Sequence, residues 1–337
     1  MKLLLAAGVC GAVILTVSSL SGLQEVSMNV SNHNQTAFAE STNSKTVYSL
    51  AVEAYQGLWG GCLHYFCSIK DNEVPGWKYQ YTVNGTEDFS CTVWQNNYEE
   101  NTYAMILSGT DRISDIKTYI PMMTEEVPSS QLQQTIKATK DMKNKVDKDI
   151  KKLYISGYSL GGYLSNYLAM ELVDSANGYV NEVAKQYDVD ISVKDIGDEL
   201  TIDNVFCYSY AAPGLYAKEI KWLADRDVFP IPAWVKDKLA RNENGDYSEN
   251  IKNYKNNKDL VPNLTYIAEA VKTKVKFVSV GEVLTTDPPA SVLEKNLLLK
   301  KVIQANMKVN ISHLAYHAPD VYYGSIAKIE AQKQNVV

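Results

Sequence analysis

The sequence has no basic segment, no internal repeat and no low-complexity stretch. Lys and Arg number 33 against 39 Asp and Glu, a net charge of -6 at pH 7, which argues against a nucleic acid as partner. With 18 Gly, 10 Pro and 45% apolar residues, the composition excludes collagen-like and disordered chains and is typical of a globular protein. Because no linker interrupts the chain from Glu40 onward, we expect residues 40–337 to form one domain.

Long apolar runs are also lacking, apart from one at the start of the chain. Met1-Lys2 and the run from Leu3 to Val17 have the layout of a secretory signal, a positive charge ahead of an apolar stretch. The run is shorter than the roughly 20 residues that a bilayer span needs. The small-x-small pattern at Ala37-Phe38-Ala39 predicts a signal peptide over residues 1–39, with a cut near Ser21 as the alternative. We therefore expect a secreted protein with no transmembrane span in its mature chain.

Cysteine is scarce as well, with five in the chain. Cys62 and Cys67 flank a loop short enough for a disulfide to close in an exported protein. Cys207 lies in the apolar run from Val205 to Tyr208, which predicts a buried hydrophobic side chain instead. The spacing of the cysteines predicts no definite pairing.

Short apolar runs predict buried strands, and helical patterns follow two of them. The strands are expected at Tyr103 to Leu107, Leu153 to Ser156, Val205 to Tyr210 and Val275 to Val280. One helix is predicted to start near Ser130, which has capping-box spacing to Gln133. Its rough apolar face comprises Leu132, Ile136, Val146 and Ile150. A second helix has a clearer apolar stripe, formed by Leu160, Tyr163, Leu164, Tyr167, Leu168 and Leu172. Strands that alternate with helices predict a mostly parallel sheet with helices on both faces.

A Gly-x-Ser-x-Gly motif, formed by Gly157, Ser159 and Gly161, stands between the second strand and the second helix. A serine hydroxyl is a poor nucleophile, so it must be presented at a sharp turn within reach of a histidine, and such a turn leaves no room for neighbouring side chains. The two glycines meet that requirement, and Ser159 is the candidate nucleophile. The alternative is a tight strand-to-helix turn with a serine near the helix cap.

The same turn supplies a candidate oxyanion hole. The Leu160 N–H is expected at the helix N-terminus, where unpaired donors and the helix dipole favour negative charge. Ser108-Gly109-Thr110 follows the first strand and is expected at the same carboxyl edge of the sheet. There Thr110 would offer both an N–H and a hydroxyl, and an ordinary glycine turn is the alternative.

The base must come from very few histidines. Of the four in the chain, His33 falls within the predicted signal. The order serine, acid, histidine of nucleophile-elbow hydrolases points past Ser159 to His313 or His317 rather than back to His64. The two late histidines lie four residues apart, but no third His or Cys ligand is near them, so we predict neither a metal site nor a cofactor.

Several aspartates lie between the serine and these histidines. Asp259 stands where a polar stretch meets an apolar one, and Pro262 ends any regular element there. That setting suits an acid in a loop. Asp287 and Asp203 are the alternatives.

With its motifs in this order, the chain from Tyr103 to Tyr323 resembles the class 3 lipase family, the fungal-lipase-like branch of the α/β-hydrolases. Ile106 to Asp111 is similar to the family's apolar strand followed by Arg-Gly-Thr, and Ile155 to Gly162 is similar to its Gly-His-Ser-Leu-Gly-Gly. Tyr210 to Gly214 is similar to its Phe-Gly-Ala-Pro strand end. The resemblance implies an α/β-hydrolase fold with a mostly parallel central sheet, and a lid or cap insertion is a further possibility.

The resemblance also assigns the acid. Asn253 to Leu264 resembles the family's Asn-x-x-Asp-x-Val-Pro segment, which carries the catalytic acid onto Asp259. The chain departs from the family at Tyr158, where the family has a His outside the triad, and at Ser108, where it has the Arg before Gly-Thr. The second departure leaves the shape of the oxyanion loop open.

Two family patterns compete for the catalytic histidine. The stretch from His317 to Tyr322 resembles the His-x-x-Glu-x-Tyr of some branches, which makes His317 the predicted base. The stretch from Ser312 to Tyr316 resembles the Asp-His-x-x-Tyr of the fungal enzymes, so His313 is the alternative.

These assignments imply an exported lipase or carboxylesterase that cleaves acylglycerols, phospholipids or other esters without a cofactor. An apolar segment after the oxyanion loop predicts either a lid, which would bring transient contact with a lipid surface, or a core helix. It comprises Ile113, Ile116, Ile120, Met122 and Met123. Residues 216–250 predict either a cap or a packed excursion. An esterase of acylated carbohydrates and a non-catalytic hydrolase-fold protein that binds a partner or lipid are the alternative functions.

Overall fold

The fold is that of a computed structural model, which describes residues 77–87, 89–109, 128–146, 148–179, 181–218, 231, 233–257, 259, 275–286 and 322. Several predicted features lie outside the described residues. They are the signal at 1–39, Cys62 and Cys67, Thr110, the candidate lid at 113–123, Asp287, His64, His313 and His317.

Seven strands form one sheet at the centre of the described residues, and two more form a small one. The strands are β1 (Trp77–Asn84), β2 (Ser90–Asn96), β3 (Thr102–Leu107), β4 (Lys152–Tyr158), β5 (Val205–Tyr210), β6 (Leu215–Lys218), β7 (Ile251–Asn256), β8 (Val275–Val278) and β9 (Glu282–Thr286). The large sheet has the order β1-β2-β3-β4-β5-β7-β9. Its first two pairings are antiparallel and all later ones are parallel. Strands β6 and β8 pair antiparallel in the small sheet.

Three predicted strands are confirmed as the middle of the large sheet. Strands β3, β4 and β5 are buried almost throughout, as expected for parallel strands with both faces covered. The fourth predicted run, at 275–280, is a strand only as far as Val278 and belongs to the small antiparallel sheet. Cys207 lies in β5 and is fully buried, which confirms its prediction as a hydrophobic side chain.

Five α-helices occur in the described residues. They are α1 (Ser130–Lys140), α2 (Met142–Lys145), α3 (Leu160–Ala176), α4 (Glu182–Gln186) and α5 (Ala233–Glu243). Helix α1 begins at the predicted residue, but its cap is Ser129 rather than Ser130. Ser129 has the extended backbone that an N-cap needs, and its hydroxyl accepts from the Leu132 N–H at 3.3 Å. The helix ends at Lys140, so Val146 and Ile150 of the predicted face lie beyond it.

Helix α3 contains the predicted apolar stripe, and all six of its residues are buried. Its other sides are buried as well up to Asp174, and α5 contributes to this burial. Trp234 of α5 lies 5.1 Å from the Tyr167 ring of α3, and the Tyr167 hydroxyl donates to the Trp234 carbonyl at 3.3 Å. Trp234, Val235 and Leu239 all belong to the main core. Residues 233–243 are therefore packed on the core. For this part of 216–250, the prediction of a packed excursion holds and that of a cap does not.

The two faces of the large sheet differ in chemistry. One face packs its aliphatic side chains against the described helices and forms the main core. The other carries an aromatic layer, which comprises Trp77, Trp94, Tyr154, Tyr158, Tyr208, Tyr210 and Tyr254 together with Tyr322 from the C-terminal part of the chain. None of the helices in the described residues is long and apolar enough to cross a membrane.

Candidate active site

Ser159 forms the turn between β4 and α3. Its φ of 55° and ψ of −121° lie in a region that residues with a side chain rarely occupy, at a cost of about 1–3 kcal/mol. Its N–H donates to the Tyr210 carbonyl of β5 at 2.9 Å, which holds the turn against the neighbouring strand. Such strain is typical of a serine that a sharp strand-to-helix turn presents as a nucleophile.

The two glycines of the motif are explained by close backbone contacts. A Cβ at Gly157 would lie 2.3 Å from the Gly161 carbonyl carbon and oxygen. A Cβ at Gly161 would lie 2.2 Å from the Leu107 carbonyl oxygen and 2.6 Å from that of Ser108. Because these neighbours are backbone atoms, they have little freedom to move aside. The first turn of α3 can therefore rest against the ends of β3 and β4 only if both positions lack a side chain.

Replacing Gly161 with alanine should lower the free energy of unfolding by about 2–3 kcal/mol, the upper range for overpacking a tight site. Urea unfolding followed by circular dichroism measures this loss. Gly178→Ala is the matched control, because a Cβ there meets no atom within 4 Å. The control variant has only the cost of a side chain at positive φ, about 1 kcal/mol. Equal losses in both variants would contradict the close-packing explanation.

The N-terminus of α3, directly after Ser159, can stabilise the negative charge of an oxyanion. The N–H groups of the first turn of α3, beginning with Leu160, have no acceptor within the helix, and the helix dipole adds positive potential there. The end of β3 lies against this turn, because a Cβ at Gly161 would lie only 2.2 Å from the Leu107 carbonyl oxygen. Ser108 itself is turned away, since its N–H and hydroxyl both donate to the Ser90 carbonyl, at 3.0 and 2.8 Å. The role of Thr110 stays a prediction.

Asp259 lies at the same edge of the sheet as Ser159. It follows the carboxyl end of β7, as Ser159 follows that of β4, and β5 runs parallel between the two strands. Asp259 is fully buried, and its N–H donates to the Asn256 carbonyl at 3.0 Å. Asp203, one of the alternative acids, is exposed in a turn before β5. That turn is at the opposite edge of the sheet, so Asp203 cannot serve Ser159.

Tyr322 connects the two sides of the candidate site. Its hydroxyl donates to Asp259 Oδ2 at 2.6 Å and accepts from the Asn256 N–H at 3.1 Å. Its ring meets that of Tyr158 edge-on, with centroids 5.9 Å apart, and Tyr158 directly precedes the candidate nucleophile. Tyr322 therefore contacts both the candidate acid and the residue before the candidate nucleophile.

A cluster of buried charges holds the helix behind the nucleophile. Asp174 of α3 accepts from Lys238 at 2.8 Å and from Arg241 at 2.7 Å, both on α5, and from the Tyr247 hydroxyl at 2.8 Å. Lys238 Nζ also lies 2.9 Å from Glu171 Oε1, without hydrogen-bond geometry. Lys238 is completely buried. Burial raises the pKa of Glu171, while the Lys238 charge opposes this.

The sequence does carry a signal for this cluster. Lys238 follows Trp234 by four residues and precedes Leu239, so it falls on the apolar side of α5. Glu171 and Asp174 continue the stripe of Leu164 and Tyr167 on α3 at helical spacing. Charges on an apolar stripe are a reason to look for a buried partner. In the described residues no three His, Cys, Asp or Glu side chains lie close enough together to hold a metal ion.

The mostly parallel sheet, together with a strand that leads through a strained serine into a buried helix, defines the α/β-hydrolase fold. No family model and no curated protein matches the chain. Among solved structures, it is similar to a lipase from Rhizopus microsporus var. chinensis at 15% identity, over 72% of this chain and 77% of the lipase, with a TM-score of 0.37. It is also similar to M37 lipase at 14% identity, over 84% of this chain and 95% of that one, with a TM-score of 0.42.

Proposed function

We propose that the protein is a serine hydrolase that cleaves carboxylic esters through Ser159, Asp259 and His317. The observation that carries the proposal is the strained conformation of Ser159 at an edge of the sheet where Asp259 is also buried. Strain of this kind persists only where the surrounding structure enforces it, and it concentrates at functional sites. The family motifs in the same chain order support membership of the class 3 lipases.

In the proposed reaction, the imidazole removes the Ser159 proton as the hydroxyl oxygen attacks the ester carbonyl. Asp259 orients the imidazole and stabilises its charged form. The tetrahedral oxyanion then accepts hydrogen bonds from the Leu160 N–H and, on the predicted arrangement, from Thr110. The imidazolium returns its proton to the leaving alcohol, and water attacks the acyl-enzyme by the same route.

The position of Tyr322 supports His317 as the base. Tyr322 touches Asp259 directly, and His317 precedes it by five residues, against nine for His313. Since a chain spans at most about 3.3–3.6 Å per residue, the greatest distance that the chain allows from Tyr322 is shorter for His317 than for His313. His313 remains the second candidate.

We expect the His317→Ala variant to be less active than His313→Ala by about 10²–10⁴-fold, the contribution of a general base. Initial rates of p-nitrophenyl butyrate hydrolysis measure this difference. The two variants act as matched controls for one another, because each removes one imidazole from the same segment. The reverse order of activities would transfer the role to His313.

A lipid or other apolar ester is the proposed substrate class, with export as the proposed setting. The apolar residues at 113–123 support this class as a candidate lid that would open at a lipid surface. p-Nitrophenyl esters with acyl chains of two to sixteen carbons, tested with wild type and Ser159→Ala, distinguish the candidate functions. A lipase prefers the long chains in emulsion, an esterase of acylated carbohydrates prefers acetate, and a binding protein hydrolyses none.

A further inference from the structure

Tyr322 is completely buried between the candidate acid and the turn that carries the candidate nucleophile. Its hydroxyl touches Asp259 Oδ2 at 2.6 Å and the Asn256 backbone nitrogen at 3.1 Å. The proton positions in this pair of contacts follow from the chemistry. The Asn256 N–H can only donate, so it occupies a lone pair of the phenol oxygen. The hydroxyl proton is left to point at the carboxylate.

This contact is a strong hydrogen bond. A hydroxyl that donates to an ionised carboxylate at 2.5–2.7 Å is in the range of charge-assisted bonds, which are roughly twice as strong as neutral ones. Burial raises the pKa of Tyr322 well above its usual value, and the Asp259 charge raises it further. The phenol therefore keeps its proton across the pH range in which enzymes work, and it remains a donor.

We propose that Tyr322 is a positioning residue for the triad, which holds the Asp259 carboxylate in the plane that the catalytic imidazole requires. The proposal rests on the proposed function. A carboxylate on a short side chain rotates easily, and the angle at which it meets an imidazole N–H depends on that rotation. With one oxygen bound to Tyr322 and the Tyr322 oxygen bound to the backbone of β7, rotation of the carboxylate is restrained relative to the sheet.

The ring of Tyr322 adds a second connection. Its edge-on contact with Tyr158 links the acid to the residue immediately before Ser159. Edge-on aromatic pairs stabilise a contact beyond their buried area. The tyrosine therefore ties the acid to the serine turn through its ring and to β7 through its hydroxyl. Of these two connections of Tyr322, the hydroxyl contact is the one that acts on the orientation of Asp259.

The Tyr322→Phe variant separates these two connections, because it removes the hydroxyl and retains the ring. For p-nitrophenyl butyrate we expect kcat to fall about tenfold, the scale of one lost hydrogen bond of about 1.4 kcal/mol, with KM within twofold of wild type. Tyr154→Phe is the matched control. It removes a hydroxyl from the same aromatic layer near the start of β4, and it should leave kcat within about twofold.

A double-mutant cycle with Asp259→Asn tests whether Tyr322 acts through the acid. On the proposal, Tyr322→Phe lowers kcat in the wild-type background and has little further effect once Asp259 is already replaced. A purely structural tyrosine would lower kcat by the same factor in both backgrounds, and that result would overturn the proposal. So would a Tyr322→Phe variant whose kcat stays within twofold of wild type.

The experiment distinguishes this proposal from the proposed function. If wild type hydrolyses no ester, or if Ser159→Ala is as active as wild type, the proposed function fails. If wild type is active and Ser159→Ala is not, only the Tyr322 cycle decides the role of Tyr322. Should Tyr322→Phe not fold, 3-fluorotyrosine at position 322 keeps the ring and makes the hydroxyl a stronger donor. It should change kcat by about twofold or more with Asp259 present and leave it unchanged in Asp259→Asn, and equal changes in both would overturn the proposal.

Discussion

Replacing Ser159 with alanine should lower kcat for ester hydrolysis by about 10⁶-fold, the loss found when the serine of a Ser-His-Asp triad is removed. The cause is the absence of the oxygen that forms the acyl-enzyme, and no neighbouring group in the described site replaces it. Initial rates with p-nitrophenyl butyrate at high enzyme concentration measure the loss. The fold should persist, because alanine keeps the backbone contacts of the turn, including the N–H bond to Tyr210.

Ser159→Gly is the informative companion variant. Glycine occupies a positive φ without strain, whereas Ser159 holds its φ of 55° at a cost. We therefore expect Ser159→Gly to be as inactive as the alanine variant but more stable than it by about 1 kcal/mol. Urea unfolding compares the two. Retained ester hydrolysis in either variant, or no gain in stability with glycine, would contradict the account of the turn as a strained nucleophile.

Replacing Lys238 with methionine should lower the free energy of unfolding by about 4 kcal/mol, as expected when one partner of a buried ion pair is removed. Methionine retains much of the volume of the stem but leaves the Glu171 and Asp174 carboxylates without the ammonium. Asp174 still has Arg241 and the Tyr247 hydroxyl, so Glu171 loses the most. The midpoint of urea unfolding measures the loss.

Two further variants test that explanation. Lys151→Met removes the lysine of an exposed pair, Lys151–Glu199 at 2.7 Å, and should leave the midpoint unchanged because solvent screens such pairs. Adding Glu171→Gln to Lys238→Met should recover part of the lost stability. Burial already disfavours the charged form of Glu171 and raises its pKa, so the neutral amide is the better occupant once the lysine is gone. Equal losses in Lys238→Met and Lys151→Met would contradict the buried-charge explanation.

The sequence predicts the middle of the sheet and misses its borders, for physical reasons. Strands β3, β4 and β5 are buried on both faces, so their composition alone marks them. Strand β7 contains Lys252, Asn253 and Lys255 and has no apolar pattern, although it leads to the candidate acid. Its strand conformation is set by pairing with β5 and β9, and pairing of this kind is not readable from the segment itself.

The candidate site is likewise predictable from the sequence only in part. The Gly-x-Ser-x-Gly turn is predictable because its chemistry is local: the close approaches at Gly157 and Gly161 arise within a few residues of the serine or against the adjacent strand. Asp259 stood out only through its loop setting and the family resemblance. The contact between Asp259 and Tyr322 joins residues far apart in the sequence. Tyr322 ends the stretch that resembles the family's His-x-x-Glu-x-Tyr, but that pattern does not say what the tyrosine hydroxyl contacts. Only the three-dimensional arrangement reveals it.

The most direct test of the central claim is covalent labelling of the whole chain with a p-nitrophenyl alkylphosphonate, followed by peptide mass spectrometry. Such a reagent phosphonylates a serine only when a base has activated it in an oxyanion hole. We predict one adduct per chain, on Ser159, which disappears in Ser159→Ala and forms much more slowly in Asp259→Asn. A chain that stays unlabelled, or an adduct on another serine, would contradict the claim that this turn presents the nucleophile.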